Sequence, residues 1–242
     1  IEGFNTSDFL IGTASAKTIT MSFKHKHTKT GIYGVAFTNG AANRNYIFEY
    51  TQSVANTEET HSETVTLDTT GTWIGATNGI GLFVTFTVLS GSTYQGSADT
   101  WQAGNLLCTS NQVNGMDSTS NYFRITDVQL EVGTVATPLE YETYSQTLAK
   151  CQRYLPAFNG TTNYSSWGSI ASTTVIYAIW NFPVHTRIAP TGVSVADVSH
   201  FNCGDTVSSN QVVTGVAFSN AGLNSGVVVV TSAGGTLTAL RP

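Results

Sequence analysis

The chain has 242 residues, a formal net charge of −5 and 10% charged residues, against ~25% in an average globular protein. With no basic cluster beyond Lys24–Lys29 and no apolar run near the ~20 residues of a membrane span, the composition argues against duplex nucleic acid as a partner and against a membrane-spanning helix. Hydrophobic residues at 40% supply a core, and abundant Gly, Ser, Thr and Asn belong to short strands and turns.

From Lys17 to His25 the chain alternates, with Ile19, Met21 and Phe23 on one side and Thr18, Thr20, Ser22 and Lys24 on the other, which predicts a strand. Ile32–Phe37 and Tyr46–Thr51 read as strands about an Asn39–Gly40 turn, and His61–Leu67 as another before a turn at Asp68–Gly71. Ile80–Leu89 is apolar on both phases and reads as a central strand. Ser90–Asn121 is long and strand-poor, so it is either functional or packed over one end of the fold. Tyr122–Val132 alternates with one slip at Asp127–Val128, which predicts a bulged closing strand ended by Gly133.

After Pro138 the period changes. Leu148, Cys151 and Leu155 fall three and four apart, predicting a short helix capped by Ser145. Ile170–Phe182 then reads as one long strand, followed by strands at Gly192–His200, Gln211–Ser219 and Ser225–Ser232. Turns are expected at Cys203–Gly204, Asn220–Gly222 and Gly234–Gly235. The expectation is an all-β chain: a sandwich over 1–140, a helical hinge over 141–156 and a second β-sandwich over 157–242.

The hinge carries a resemblance. Its run Ile125–Leu155, ITDVQLEVGTVATPLEYETYSQTLAKCQRYL, resembles a segment of bacteriophage virion proteins, the tail fibres and minor structural proteins. Gln129, Leu130, Glu131, Gly133, Ala136, Thr137, Pro138, Glu140, Cys151, Gln152, Arg153 and Tyr154 match; Asp127 and Leu139 depart from the usual glycine and phenylalanine. Asn181–Val195, NFPVHTRIAPTGVSV, is similar to phage-fibre C-terminal domains, with Thr186 in place of the usual methionine. The resemblance implies a jelly roll like a carbohydrate-binding module, short of its first strand or strands, and a C-terminal domain for oligomerisation or receptor contact. It implies a virion exterior location after assembly in the host cytoplasm, a homotrimer, other virion proteins as partners, and host-surface polysaccharide as ligand.

The chemistry-bearing residues point the same way. His25 and His27 share one face of a strand and read as an exposed polar edge; His61, His185 and His200 read as surface or interface residues. No C-x-x-C pair joins Cys108, Cys151 and Cys203, which read as reduced thiols, and there is no G-x-S-x-G elbow or phosphate-cradling glycine loop. Glu58, Glu59 and Glu63 read as solvated, and no acid pair with a hydrolytic setting stands out. No catalytic residue, metal site or cofactor is therefore assigned, beyond a structural calcium at Glu131. Trp73, Tyr94 and Trp101, flanked by Thr, Asn, Gln and Gly, suit stacking on sugar faces; plugging the sandwich ends is the competing use of both tryptophans. Trp180 reads as core or subunit contact, and the run Val227–Val230 needs cover on both faces. The expected function is a non-enzymatic virion structural protein, with a tailspike-depolymerase fragment or a free sugar-binding module as alternatives.

Overall fold

The computed structural model describes residues 1–158, 166–204, 211–234 and 237–238. It is mostly β, with one α-helix among the described residues, and divides into two compact units, Ile1–Tyr141 and Glu142–Pro242.

The first unit contains β1 (Thr18–His27), β2 (Gly31–Thr38), β3 (Arg44–Gln52), β4 (Glu59–Thr66), β5 (Phe83–Thr87), β6 (Trp101–Ala103) and β7 (Phe123–Val132). They form two antiparallel sheets, ordered β4-β1-β7 and β5-β2-β3-β6. Both sheets feed one core. Ile19, Met21 and Phe23 of β1, with Val65 of β4, join Tyr33, Val35 and Phe37 of β2 and Tyr46, Phe48 and Tyr50 of β3. Each such side chain contributes roughly 1.5–3 kcal/mol by leaving water. Phe23 meets Tyr50 and Phe86 edge-on, at 5.2 and 5.0 Å between ring centroids.

The inward row of β1 does not stop at Phe23. It runs on through His25 and His27, each 2% exposed, so the expected polar edge is part of the interior. Period-two geometry places them there, and internal partners make it tolerable. The Gln52 amide gives both Nε2 protons to the carbonyls of Val54 and Thr57, which fixes its oxygen toward the histidines. That oxygen accepts from the backbone N–H of His27 at 2.9 Å and from Nδ1–H of His25 at 3.0 Å. Nε2 of His27 bonds the Tyr50 hydroxyl at 3.0 Å, and its ring stacks between Tyr33 and Phe123. His61 also faces inward, stacked on Phe48, and its buried Nε2 has no hydrogen-bond partner. Glu59 and Glu63 share that inward phase and are half-buried rather than solvated.

Strand β7 pairs with β1 through a register shift at the predicted slip: Ser22 faces Gln129, but Lys24 faces Thr126. Asp127 takes the extra position with φ +52°, a left-handed conformation that Asp tolerates better than most residues, and its carboxylate holds Lys24 at 2.8 Å. Ile80–Leu89 departs from expectation. Only Phe83–Thr87 is strand, and it lies at an edge of its sheet, not the centre.

The segment between β5 and β7 folds over the outer face of the four-stranded sheet. Cys108 lies so close over Gly34 that a Cβ there would stand 2.5 Å from its sulfur. Thr87 donates to the Leu107 carbonyl, Asn45 to that of Gly104, and Thr109 and Asn111 both donate to the Glu49 carboxylate. Lys29 pairs with Asp117 further along.

The second unit opens with α1 (Tyr144–Tyr154) and continues as β8 (Trp167–Ser172), β9 (Val175–Asn181), β10 (Asn202–Cys203), β11 (Gln211–Ala221) and β12 (Ser225–Ser232). The helix cap is Thr143, not Ser145: the Thr143 hydroxyl accepts from the Gln146 N–H while the Gln146 side chain accepts from the Thr143 N–H. Thr143→Ala should cost about 1 kcal/mol of helix stability, read as lost helical circular dichroism, whereas Ser145→Ala should cost less.

The strand predicted over Ile170–Phe182 is instead a hairpin, β8 and β9 joined at Thr173–Thr174. Gly192–His200 is not a strand; only a 3-10 turn, Val198–His200, forms there. Cys203, expected in a turn, belongs to β10. The strands form one antiparallel sheet, β10-β11-β12-β9-β8, and the second sheet a sandwich requires is absent among the described residues. Its inner face packs Ile176, Ala178, Val228 and Trp180, the last T-stacked on Phe158 at 4.8 Å. The Gly234–Gly235 turn falls partly outside the described residues.

Candidate functional site

Alternation along β2 sends Phe37 into the core and Thr38 to the outer face of the four-stranded sheet. Antiparallel register sets Phe83 opposite Thr38, and Thr85 opposite Ala36, on that same face. Thr38, Ala42, Phe83, Thr85, Asn105 and Leu107 are left around a cavity of about 370 Å³, at the lower end of the ~300–1,000 Å³ of small-ligand sites.

Two features of this cavity bear on a ligand. Phe83 sits on an edge strand and is 42% exposed, so its ring is open to stacking. Thr38 is 3% exposed, yet its hydroxyl has no hydrogen-bond partner. A buried hydroxyl without a partner costs about 1–3 kcal/mol; this one is sealed from solvent, so a ligand hydroxyl reaches it only where the lining side chains shift. None of the six lining side chains ionises, so the cavity offers hydrogen bonds and one aromatic face but no acid, base or nucleophile.

The residues singled out in the sequence lie elsewhere. Trp73 and Trp101 meet edge-to-face at 5.5 Å and pack against the core, with Tyr46 5.2 Å from Trp101. Both indole N–H groups are taken internally: Trp73 donates to the Thr70 carbonyl at 2.9 Å and Trp101 to that of Thr66 at 2.8 Å. Tyr94, 44% exposed, lies in a 3-10 turn, Ser92–Tyr94, and no ring contact joins it to either tryptophan among the described residues. Its carbonyl accepts from the N–H groups of Leu107, a lining residue of the cavity, and Cys108, but Tyr94 itself does not line the cavity. The cavity escaped the sequence reading because Phe83 and Thr85 belonged to a strand taken as central, where neither phase would be open.

The acidic residues are otherwise occupied. Glu131 accepts from Thr137, through backbone and hydroxyl, and from Gln129, which holds its carboxyl below the usual range and ties down the turn after β7. Burial, then Asp99, pushes the Glu63 carboxyl up; His61 lies 3.7 Å away, beyond hydrogen-bond reach, and neither lines the cavity. No group of three or more His, Cys, Asp or Glu among the described residues could hold a metal ion. No helix is long and apolar enough to cross a membrane among them either.

By fold, then, the chain is an all-β protein whose first unit is built like a sandwich. No family model, curated protein or solved structure matches it.

Proposed function

We propose that the chain is a non-enzymatic structural protein of a bacteriophage virion, with a jelly-roll first unit that binds uncharged host-surface glycans. The observation that carries the glycan part is the unpaired Thr38 hydroxyl and, across the strand pair from it, the exposed Phe83 ring, in a cavity without ionisable groups. Neutral sugars are recognised by this combination: an aromatic face for their C–H groups and fixed hydroxyl and amide partners for their hydroxyls. Thr85 and Asn105 supply the further polar contacts. A depolymerase would instead place two carboxyl groups across a cleft, and the lining of this one has none. The virion setting rests on the likeness of Ile125–Leu155 and Asn181–Val195 to phage fibre proteins, together with the low charge. Homotrimeric assembly belongs to the same proposal.

A glycan array tests it. The chain should bind neutral polysaccharide, and Thr38→Val should weaken binding about tenfold without lowering the melting temperature, because the hydroxyl it removes has no internal partner. Phe83→Ala should weaken it at least as much. Full binding by both variants would reject the cavity, and no binding to any neutral glycan would leave a purely architectural protein.

A further inference from the structure

Register sets Phe83 of β5, Thr38 of β2, Asn45 of β3 and Gln102 of β6 side by side, one row across the outer face of the four-stranded sheet. The ends of the row are settled. Phe83 is exposed, and the Gln102 side chain accepts from the Ser97 N–H and donates to the Ser97 carbonyl. The two middle members are not. Thr38 is 3% exposed and Asn45 0%, and each keeps one buried polar atom without a hydrogen-bond partner, Oγ1 of Thr38 and Oδ1 of Asn45.

Turning the Asn45 amide over does not cure this. Its Nδ2 donates to the Gly104 carbonyl at 2.7 Å, and the reversed amide would set two acceptor oxygens against each other. Oδ1 therefore stays an acceptor in need of a donor. Next to this pair, the Asn39 N–H donates to the Arg44 carbonyl at 3.1 Å. Thr38 and Asn45 are thus a non-hydrogen-bonded pair of the antiparallel ladder, the kind whose side chains stand closest, with Cβ atoms ~4.5–5.5 Å apart. At that spacing one small group reaches both orphan atoms.

We propose that Thr38 Oγ1 and Asn45 Oδ1 form a socket for a single O–H group, which donates to Asn45 and accepts from the Thr38 hydroxyl. An ether, carbonyl or carboxylate oxygen has no proton for Oδ1, and a methyl group satisfies neither atom. Two sources carry the right chemistry: a hydroxyl of a neutral sugar, and a water molecule. Thr38 lines the cavity, and so does Asn105, next to the Gly104 carbonyl that Asn45 holds. The socket therefore belongs to the inner wall of the cavity, sealed from solvent and entered by local opening, and Asn45 joins Thr38 in setting which hydroxyl is accepted. The sugar source rests on the glycan reading above; the socket itself does not.

Water-to-protein NOE spectra of the whole chain, labelled with carbon-13 and nitrogen-15, test it. In the free protein a long-lived water should give cross peaks to the Asn45 Nδ2 protons and to the Thr38 methyl group. Thr38→Ser should keep the Asn45 cross peak and Thr38→Val should lose it. Oligosaccharides of dextran and of mannan then separate the sources. Loss of the water cross peaks at saturation, with the Asn45 side-chain amide shifted, traces the O–H group to the sugar; their persistence traces it to water. No water cross peak at Asn45 in the free protein, together with an Asn45 side-chain amide that neither sugar moves, would overturn the socket. So would an Asn45 cross peak equally strong in folded Thr38→Val. Failure of either sugar to saturate counts against the glycan reading alone, and the water cross peak still decides the socket.

Discussion

Acidifying the protein from pH 7 to pH 4 should lower the melting temperature of the first unit by about 10 °C, the equivalent of roughly 3 kcal/mol in a domain of this size. The cause is the trio of inward histidines. Burial, then the neighbouring His25, pulls the His27 pKa down from 6.5 to about 4. Burial also lowers that of His25, against the Gln52 bond and the Glu59 carboxylate that raise it, and that of His61, with His25 adding to the effect. Glu63, 3.7 Å from His61, does not reverse it. In the unfolded chain each histidine takes its proton near 6.5, so the unfolded state binds protons first as the pH falls. The histidine contribution is therefore intact above about pH 6.5 and is lost down to about pH 4, below which the carboxyls held under their usual range, Glu131 and Asp127 among them, continue the decline. Thermal melts across this range should show that profile. His27→Phe, which keeps the stack between Tyr33 and Phe123, should flatten it while costing about 1 kcal/mol for the stranded Tyr50 hydroxyl. A profile equally steep in wild type and variant would remove His27 from the account.

Replacing Gln52 by leucine should cost about 3–5 kcal/mol in urea unfolding, more than the loss of any exposed hydrogen bond. One fully buried amide serves four groups: the His27 N–H, the His25 ring N–H, and the carbonyls of Val54 and Thr57. Leucine fills a similar volume, strands the two histidine N–H groups in the interior and unties the exposed turn at Val54 and Thr57. Gln52→Glu should be nearly as damaging, since a carboxylate turns acceptors toward two carbonyls. Loss below 1 kcal/mol in either variant would mean that water enters this end of the sandwich.

Much of the first unit was legible in the sequence because its signals are local. Alternation at Ile19, Met21 and Phe23 gave β1 its inner face, and the slip at Asp127–Val128 marked a real bulge. The burial of His25 and His27 was present in the same alternation, but residue chemistry argued for solvent, and only the distant Gln52 and Tyr50 outweigh it. The edge position of Phe83–Thr87 depends on which strands pair, and its apolar run reads alike at centre or edge. For the same reason the cavity was not visible: Thr38, Phe83 and Asn105 are brought together by register and by a covering segment, and no spacing in the chain records that. In the second unit, β8 and β9 were fused because Thr173–Thr174 lacks the Gly, Asn or Pro that usually announces a turn.

An amide-resolved NMR titration with neutral oligosaccharides tests the glycan cavity most directly. Shifts should concentrate at Thr38, Ala42, Phe83, Thr85 and Asn105 and saturate together, and Thr38→Val should weaken them. Saturable shifts centred on Trp73 and Trp101, with the Thr38 and Phe83 amides unmoved, would contradict it.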